Sequence, residues 1–475
     1  MSEKMMKKSR VLLFTLLGVV AVAALSMWGC GHTSYDTPAE KVVTTKTPTA
    51  LITAADLDGW IKAGLVNKQG GYDRVVILDV SNNESDTSNK YYTVGHIPGA
   101  QLISAGSAAF MDNTRAEGPF NVTGSMVCTG ATIDALIQGA GIDENTTIVI
   151  TNNATNTVNV ARAYTTLRYW GFPKNRLKVL QGGNAEWVTA GHALTKTVPT
   201  ITRSSFGVAQ NGTTRVNTDM RVALPEMIAY VQGIVAGNAD NVTLIDTVRG
   251  ASNPSATISS TTDLLVSGNA FTPFDGAIKG SFSYGAPAMV SPANTLYFKD
   301  ADTIKADLAN ALGTNGVAKL DAAGRDATKT FISFCRAGNY ASVGFFALDG
   351  IAYYDDPNVT VKWYDGSYGQ WNLCASSDHT AVDTTGATVN AGGKLAVGSI
   401  WDTTSLMDNL TWNVGRTTVV NGVTVQRQIV NYASRVYTVE PSFADGNQIE
   451  AADLAYRSTV TRATSGGSTG GGGGC

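Results

Sequence analysis

The sequence predicts an α/β protein of two tandem units, each a mostly parallel sheet with helices on both faces, plus a β-rich C-terminal extension. Three observations carry this expectation. Short apolar runs of strand type alternate with helical patterns, as parallel βαβ units require. The alternation occurs twice, and an internal repeat of this length organises the chain. At 475 residues the chain can form two or three domains with sizeable cores.

The N-terminus sets the expected compartment. Lys4, Lys7, Lys8 and Arg10 precede an apolar run from Val11 to Leu25. About fifteen residues are short for a membrane span and suit a signal peptide. Leu25-Ser26-Met27-Trp28-Gly29-Cys30 resembles a bacterial lipoprotein box, with Gly29 as the small residue before the cysteine and Met27 and Trp28 departing from the pattern. That resemblance implies cleavage after residue 29, with diacylglycerol and palmitate on Cys30. Ordinary secretion and an uncleaved signal anchor are the alternatives. Gly31 is not aspartate, so outer-membrane attachment is expected, with the periplasmic or exterior face left open. Residues 30–47 read as a linker.

The first unit is expected over 48–196. Val75-Val76-Ile77-Leu78-Asp79-Val80 and Thr147-Ile148-Val149-Ile150-Thr151 read as buried strands, and Ala54–Ala63, Thr132–Ala140 and Asn159–Trp170 as helices. The units join near Thr197–Arg215. The second unit, 216–374, has strands at Val242–Asp246 and Phe331–Phe334 and helices at Pro225–Ala236 and Ala301–Leu312. Residues 375–464 are Thr-, Val- and Gly-rich, with β-like runs at Thr417–Val425 and Arg427–Val430. They are expected to wrap the core as an extra layer, or to dock a membrane-bound partner. Residues 465–475 form a Gly-rich tail ending in Cys475, a flexible tether or an unstructured end.

Phe331-Ile332-Ser333-Phe334-Cys335-Arg336-Ala337-Gly338-Asn339-Tyr340 carries the chemistry. A strand delivers one cysteine to a tight turn, and helical spacing resumes through Val343, Phe346 and Ala347. A strand, turn and helix start together form a nest of backbone N–H groups at the positive end of a helix dipole. A cysteine at its mouth is expected to have a lowered pKa and react as thiolate. On the loop alone, a buried core cysteine is an equally open reading.

The surrounding landmarks favour the first reading. Val242–Asp246 ends in an acid, with Arg249 after it; Gly276-Ala277-Ile278-Lys279-Gly280-Ser281 follows; Asp365-Gly366-Ser367 with Trp371 comes after the cysteine. In the first unit Asp79 ends a strand, Gly95-His96-Ile97-Pro98-Gly99-Ala100 follows, and Gly182-Gly183 precedes Trp187. This order resembles a tandem rhodanese, over roughly Arg215 to Leu373 in the second unit. Departures are Ala277 for histidine, Ser367 for the second glycine, and one residue inserted before Arg249. The first unit has Asn152 and Asn153 where the cysteine would stand, so it is expected to cover the second unit's active face.

The resemblance implies an exported, lipid-anchored sulfurtransferase. Cys335 would take a sulfane sulfur from a small sulfur-containing anion and pass it to a thiol, protein-thiol or cyanide acceptor. The six-residue loop Cys335–Tyr340 has the sulfurtransferase size, and Ala341 stands where related phosphatases carry arginine. Arg336, Ala337, Gly338, Asn339 and Tyr340 would hold substrate, with Arg336 gripping oxyanion oxygens. Tyr340 would narrow the pocket or donate a hydroxyl; Arg249 would set the field or pair with Asp246 or Asp275. Ala337 replaces the lysine of thiosulfate-type loops, and Arg336-Ala337 is not the Gly-Ser of the mercaptopyruvate type, so the loop leans towards a thiosulfate-like donor. The competing function is a non-catalytic or redox-carrier lipoprotein subunit of an envelope complex that handles sulfur or selenium species.

Composition excludes other classes. Removing residues 1–29 takes four basic and one acidic residue from 35 and 38, leaving 31 against 37, a net charge of about −6. There is no basic stripe for nucleic acid. The four histidines, His32, His96, His192 and His379, show no zinc spacing, so no metal is expected, and no phosphate loop or dinucleotide fingerprint implies a cofactor. Export leaves a Cys128–Cys374 disulfide open, and an accessible Cys335 would need a reductant.

Overall fold

The computed structural model describes residues 47–71, 74–81, 90–153, 156–208, 216–248, 274–314, 328–375, 380–382, 388–390, 395, 398–412, 417–420, 423–426 and 437–456. Cys30, Arg249, His32, His379 and Cys475 lie outside them.

The first lobe runs β1 (Leu51–Ile52), α1 (Ala54–Lys62), β2 (Arg74–Asp79), α2 (Lys90–Thr93) and β3 (Gln101–Leu102). Four short strands follow: β4 (Met111–Asp112), β5 (Arg115–Glu117), β6 (Phe120–Thr123) and β7 (Met126–Val127). Then come α3 (Gly130–Gly139), β8 (Thr146–Thr151), α4 (Thr157–Tyr169), β9 (Leu177–Leu180) and α5 (Gly183–Thr189). Strands β1-β9-β8-β2-β3 make one parallel sheet in that order. Every residue of β2 and β8 is buried, as strands covered by helices on both faces must be. Helices α3 and α4 start two residues before the apolar pattern does because Thr129 and Asn156 cap them, while α1 starts where expected, behind a reciprocal Thr53–Asp56 box.

The second lobe runs α6 (Leu224–Val235), β10 (Val242–Asp246), β11 (Phe274–Ile278), β12 (Ser281–Ser283), β13 (Val290–Ser291), β14 (Asn294–Phe298), α7 (Ala301–Thr314) and β15 (Thr330–Phe334). Next are α8 (Asn339–Phe345), which continues as a π-helical stretch over Phe346–Ala352, then β16 (Thr360–Trp363) and α9 (Ser367–Leu373). Its parallel sheet has the order β12-β10-β15-β16, and a parallel bridge from Arg221 to Trp363 adds the counterpart of β1. The two sheets thus share one strand order. Both are parallel with helices against them, which is the expected α/β class.

The lobes share a core. Val76, Ile150 and Tyr164 belong to one continuous buried cluster with Phe331, Phe346 and Trp363. Helices α4 and α8, each following the central strand of its own sheet, pack against one another. The extension adds β17 (Thr380–Val382), β18 (Thr388–Asn390), β19 (Met407–Trp412), β20 (Thr417–Val420), β21 (Val423–Gln426) and α10 (Gln448–Ala455). Strand β19 pairs antiparallel with β11 of the second lobe, while α10 docks on the first: Asp453 holds Arg115 at 2.6 Å and accepts from the Tyr169 hydroxyl at 2.8 Å. Described parts of the extension therefore contact both lobes.

Candidate active site

Strand β15 delivers Cys335 to the carboxyl edge of the second sheet, where ligands of open parallel sheets sit. The turn Cys335–Gly338 closes tightly because Gly338 adopts φ 79°. A Cβ there would run into the Asp365 carbonyl and come within 3.1 Å of the Arg162 guanidinium, so only glycine fits. Helix α8 then begins at Asn339.

The backbone N–H groups of Ala337 and Ala341 face the Cys335 sulfur. The Ser367 hydroxyl lies beneath the turn. It accepts the N–H groups of Cys335 at 3.1 Å and Gly338 at 3.0 Å, stands 2.7 Å from the Tyr364 carbonyl, and is 3.8 Å from the sulfur. Ser367 itself has φ 53°, a left-handed conformation matched in the first lobe by Gly183 at 62°. The departure from glycine therefore keeps the backbone shape and adds an oxygen.

The expected low pKa is not what the surroundings produce. Cys335 is only 2% exposed, and burial pushes its thiol up. The Ala341 and Ala337 N–H groups and the Ser367 hydroxyl pull down, while the Asp246 carboxylate pushes up as well. Loss of hydration outweighs a few amide dipoles and one hydroxyl. The accessible cysteine expected from the sequence is likewise a buried one.

Of the other expected substrate residues, Arg336, Ala337 and Asn339 are half-buried, and Gly338 is buried. Burial lowers the Arg336 pKa, and its carbonyl accepts the Gly369 N–H at 2.7 Å. Tyr340 is 46% exposed, so its ring stands in solvent rather than narrowing a pocket around a buried sulfur. Cys128 and Cys374 are free buried thiols, so the Cys128–Cys374 disulfide does not form; burial raises the pKa of both, Cys128 to about 12. His96 is structural: it stacks on Tyr91 at 3.7 Å, with its ring nitrogens on the Tyr91 and Thr197 carbonyls.

The cysteine-less loop of the first lobe is held by its own side chains. The Asn152 amide donates to the Val80 carbonyl at 3.1 Å, the Asn153 amide to Gly95 at 2.7 Å, and the Asn153 N–H to the Ser81 hydroxyl at 2.8 Å. Asp79, buried and shifted up by that burial, accepts from Asn184 at 2.9 Å and from Ser81. The β13–β14 hairpin lies across this loop, Gly182 N–H donating to Leu296 at 2.9 Å.

The covering is reciprocal. The first lobe's β4–β7 segment lies against the Cys335 side: the Val127 N–H donates to Asp365 at 2.9 Å, and Gln370 donates to Glu117 at 3.1 Å. Arg162 of α4 reaches the Gly338 carbonyl at 3.4 Å and the Ser125 carbonyl at 3.0 Å. Sequence reading placed Arg162 in a helix and gave it no role. The available signal was an arginine between Ala161 and Ala163 on an otherwise apolar stretch.

Residues 60–190 match the family model described as Rhodanese-like domain. A Haloferax volcanii protein provisionally named a thiosulfate sulfurtransferase is 24% identical over 288 residues, 61% of this chain and 84% of that protein. Among solved structures, the Tum1 protein of Saccharomyces cerevisiae matches with TM-score 0.49 and 18% identity, covering 69% of this chain and 96% of that one. The 3-mercaptopyruvate sulfotransferase SseA of Escherichia coli matches with TM-score 0.44 and 20% identity, over 67% and 99%. An anaerobic ergothioneine biosynthesis enzyme of Chlorobium limicola matches with TM-score 0.47 and 17% identity, over 68% of each chain.

Proposed function

We propose, for a chain whose residues 60–190 match the rhodanese-like domain, that it is a sulfurtransferase working through a Cys335 persulfide. One observation carries the reading: a lone cysteine ends the central strand with the Ala337 and Ala341 N–H groups turned to its sulfur. Such a cradle stabilises a negatively charged sulfur without needing a metal.

The Cys335 thiolate attacks the outer sulfur of a thiosulfate-like donor. A new S–S bond forms, the donor's S–S bond breaks, and sulfite leaves with the electron pair. A thiolate or cyanide then attacks the outer persulfide sulfur, and the Cys335 thiolate departs. Arg336 would take the donor's oxyanion oxygens. Arg336-Ala337 at the loop and the thiosulfate named for the Haloferax volcanii relative both support an oxyanion donor. Export and attachment to the outer membrane through lipid on Cys30 belong to the same proposal, tested by radiolabelled palmitate incorporation that Cys30→Ser abolishes.

Intact mass of the reduced protein after exposure to thiosulfate tests the chemistry. A gain of one sulfur atom, removed by cyanide and absent from Cys335→Ser, is the expected result. No adduct with thiosulfate, mercaptopyruvate or selenium donors would favour a second reading, a non-catalytic or redox-carrier subunit of an envelope complex. The 2% exposure of Cys335 is the observation on that side.

A further inference from the structure

Arg162 is fully buried, although taking any charged side chain out of water is costly. Among the described residues it makes no ion pair. Its two contacts by hydrogen bond are carbonyls, Gly338 at 3.4 Å and Ser125 at 3.0 Å, and its Nε is buried without a partner. The guanidinium lies 5.2 Å from the ring centre of Trp363, a favourable but weak contact for a desolvated cation. The nearby carboxylate of Asp365 is already engaged, by Arg221 at 2.8 Å and by the Val127 N–H at 2.9 Å. A buried cation so placed is stabilised when an anion forms beside it.

Of the two thiols in its field, Cys128 and Cys335, it is the Cys335 turn that Arg162 grips. Arg162 holds the carbonyl of Gly338, the last residue of the turn that begins at the cysteine, and its charge acts on the Cys335 sulfur. We propose that Arg162, carried by the cysteine-less first lobe, is the counter-ion for negative charge on the Cys335 sulfur and positions the loop through the Gly338 carbonyl. It is a positioning residue, acting on the thiolate and on the persulfide anion that follows. The inference rests on the reading of Cys335 as a sulfur carrier, and it gives the first lobe a part in the site beyond covering it: neither lobe alone holds both charges. The other charged or titratable groups facing this pair are Asp246 at the end of β10, toward the sulfur, and Asp365, Cys128 and Arg221, toward the guanidinium.

The test follows the ultraviolet absorbance of the Cys335 thiolate across pH in the full chain, taken as the difference from Cys335→Ser in each background. In Arg162→Gln the midpoint is expected to rise by about one pH unit or more, and Arg162→Lys, which keeps the charge, to return it close to the parent. A folded Arg162→Gln protein, judged by near-ultraviolet circular dichroism, that titrates as the parent does would overturn the assignment. Should Arg162→Gln not fold, Arg162→Met, an apolar side chain of similar length, takes its place: a midpoint raised by about a unit or more supports the counter-ion, and a parental midpoint overturns it. The readout is protonation, not turnover. A raised midpoint in a chain that takes no sulfur from thiosulfate would leave this inference standing while the sulfur-carrier reading falls.

Discussion

At the scale of single residues, the Ser367 hydroxyl ties the cysteine turn to the strand beneath it. Two buried N–H groups, those of Cys335 and Gly338, end on this one oxygen at 3.1 and 3.0 Å. Removing it leaves both buried donors unsatisfied. Ser367→Ala is therefore expected to destabilise the fold by roughly 1–3 kcal/mol in urea unfolding. Ser367→Gly loses the same oxygen but relieves the φ of 53°, so it should be the milder of the two by about 1 kcal/mol. Equal stability of the two variants would mean that the left-handed backbone carries no strain here. Both should also slow sulfur loading, because the turn that aims the Ala337 N–H at the sulfur is no longer anchored. These effects were partly legible. The departure of Ser367 from glycine stands in the sequence, whereas the destination of its hydroxyl is a product of the fold.

At the scale of elements, α10 is held to the first lobe by a buried ion pair rather than by a long apolar face. Arg115 meets both Asp453 oxygens, at 2.6 and 2.9 Å, and also the carbonyls of Val127 and Ile449. Arg115→Met strands a buried carboxylate and is expected to lose about 3–5 kcal/mol. The double variant with Asp453→Leu should recover part of that loss in the same urea series. No recovery would assign Arg115 a purely packing role. The extension shows where sequence reading stops. Strands β2, β8, β10 and β15 announce themselves as apolar runs, and Gly95-His96 or Gly182-Gly183 as local turns, because their causes lie within a few residues. Nothing near Asp453 says that its partner is Arg115, and nothing near Cys335 says that Arg162 lies against its loop. The raised pKa of Cys335 was illegible for the same reason: the turn predicts amide dipoles, but only packing from the other lobe removes the water that would have favoured the thiolate.

At the scale of the whole molecule, one buried charge cluster joins its parts. Arg221, between the lobes, meets Glu117 of the first at 2.5 Å, Asp365 of the second at 2.8 Å and Glu450 of the extension at 3.3 Å. Three carboxylates around one guanidinium cannot all ionise cheaply. Burial raises Glu450 to about 7, opposed by Arg221 and the Asn447 amide. Glu117 shifts in the same direction, also by burial. An unfolded Glu450 releases its proton near 4.5, so between that pH and about 7 the folded chain holds a proton that the unfolded chain does not. Stability from this group is then fully present below pH 4.5, falls as pH rises towards 7, and levels off above it. The span amounts to roughly 3 kcal/mol at most, with Arg221 recovering some of it once Glu450 ionises. Glu450→Gln keeps the shape without the titration. It is expected to match the parent near pH 5, to be more stable near pH 8, and to flatten the slope of unfolding free energy between those limits. A parental slope in Glu450→Gln would move the retained proton to Glu117, and a Glu117→Gln chain would then carry the flat profile. Either outcome is read in urea unfolding across pH, with the three segments that Arg221 joins melting as one body.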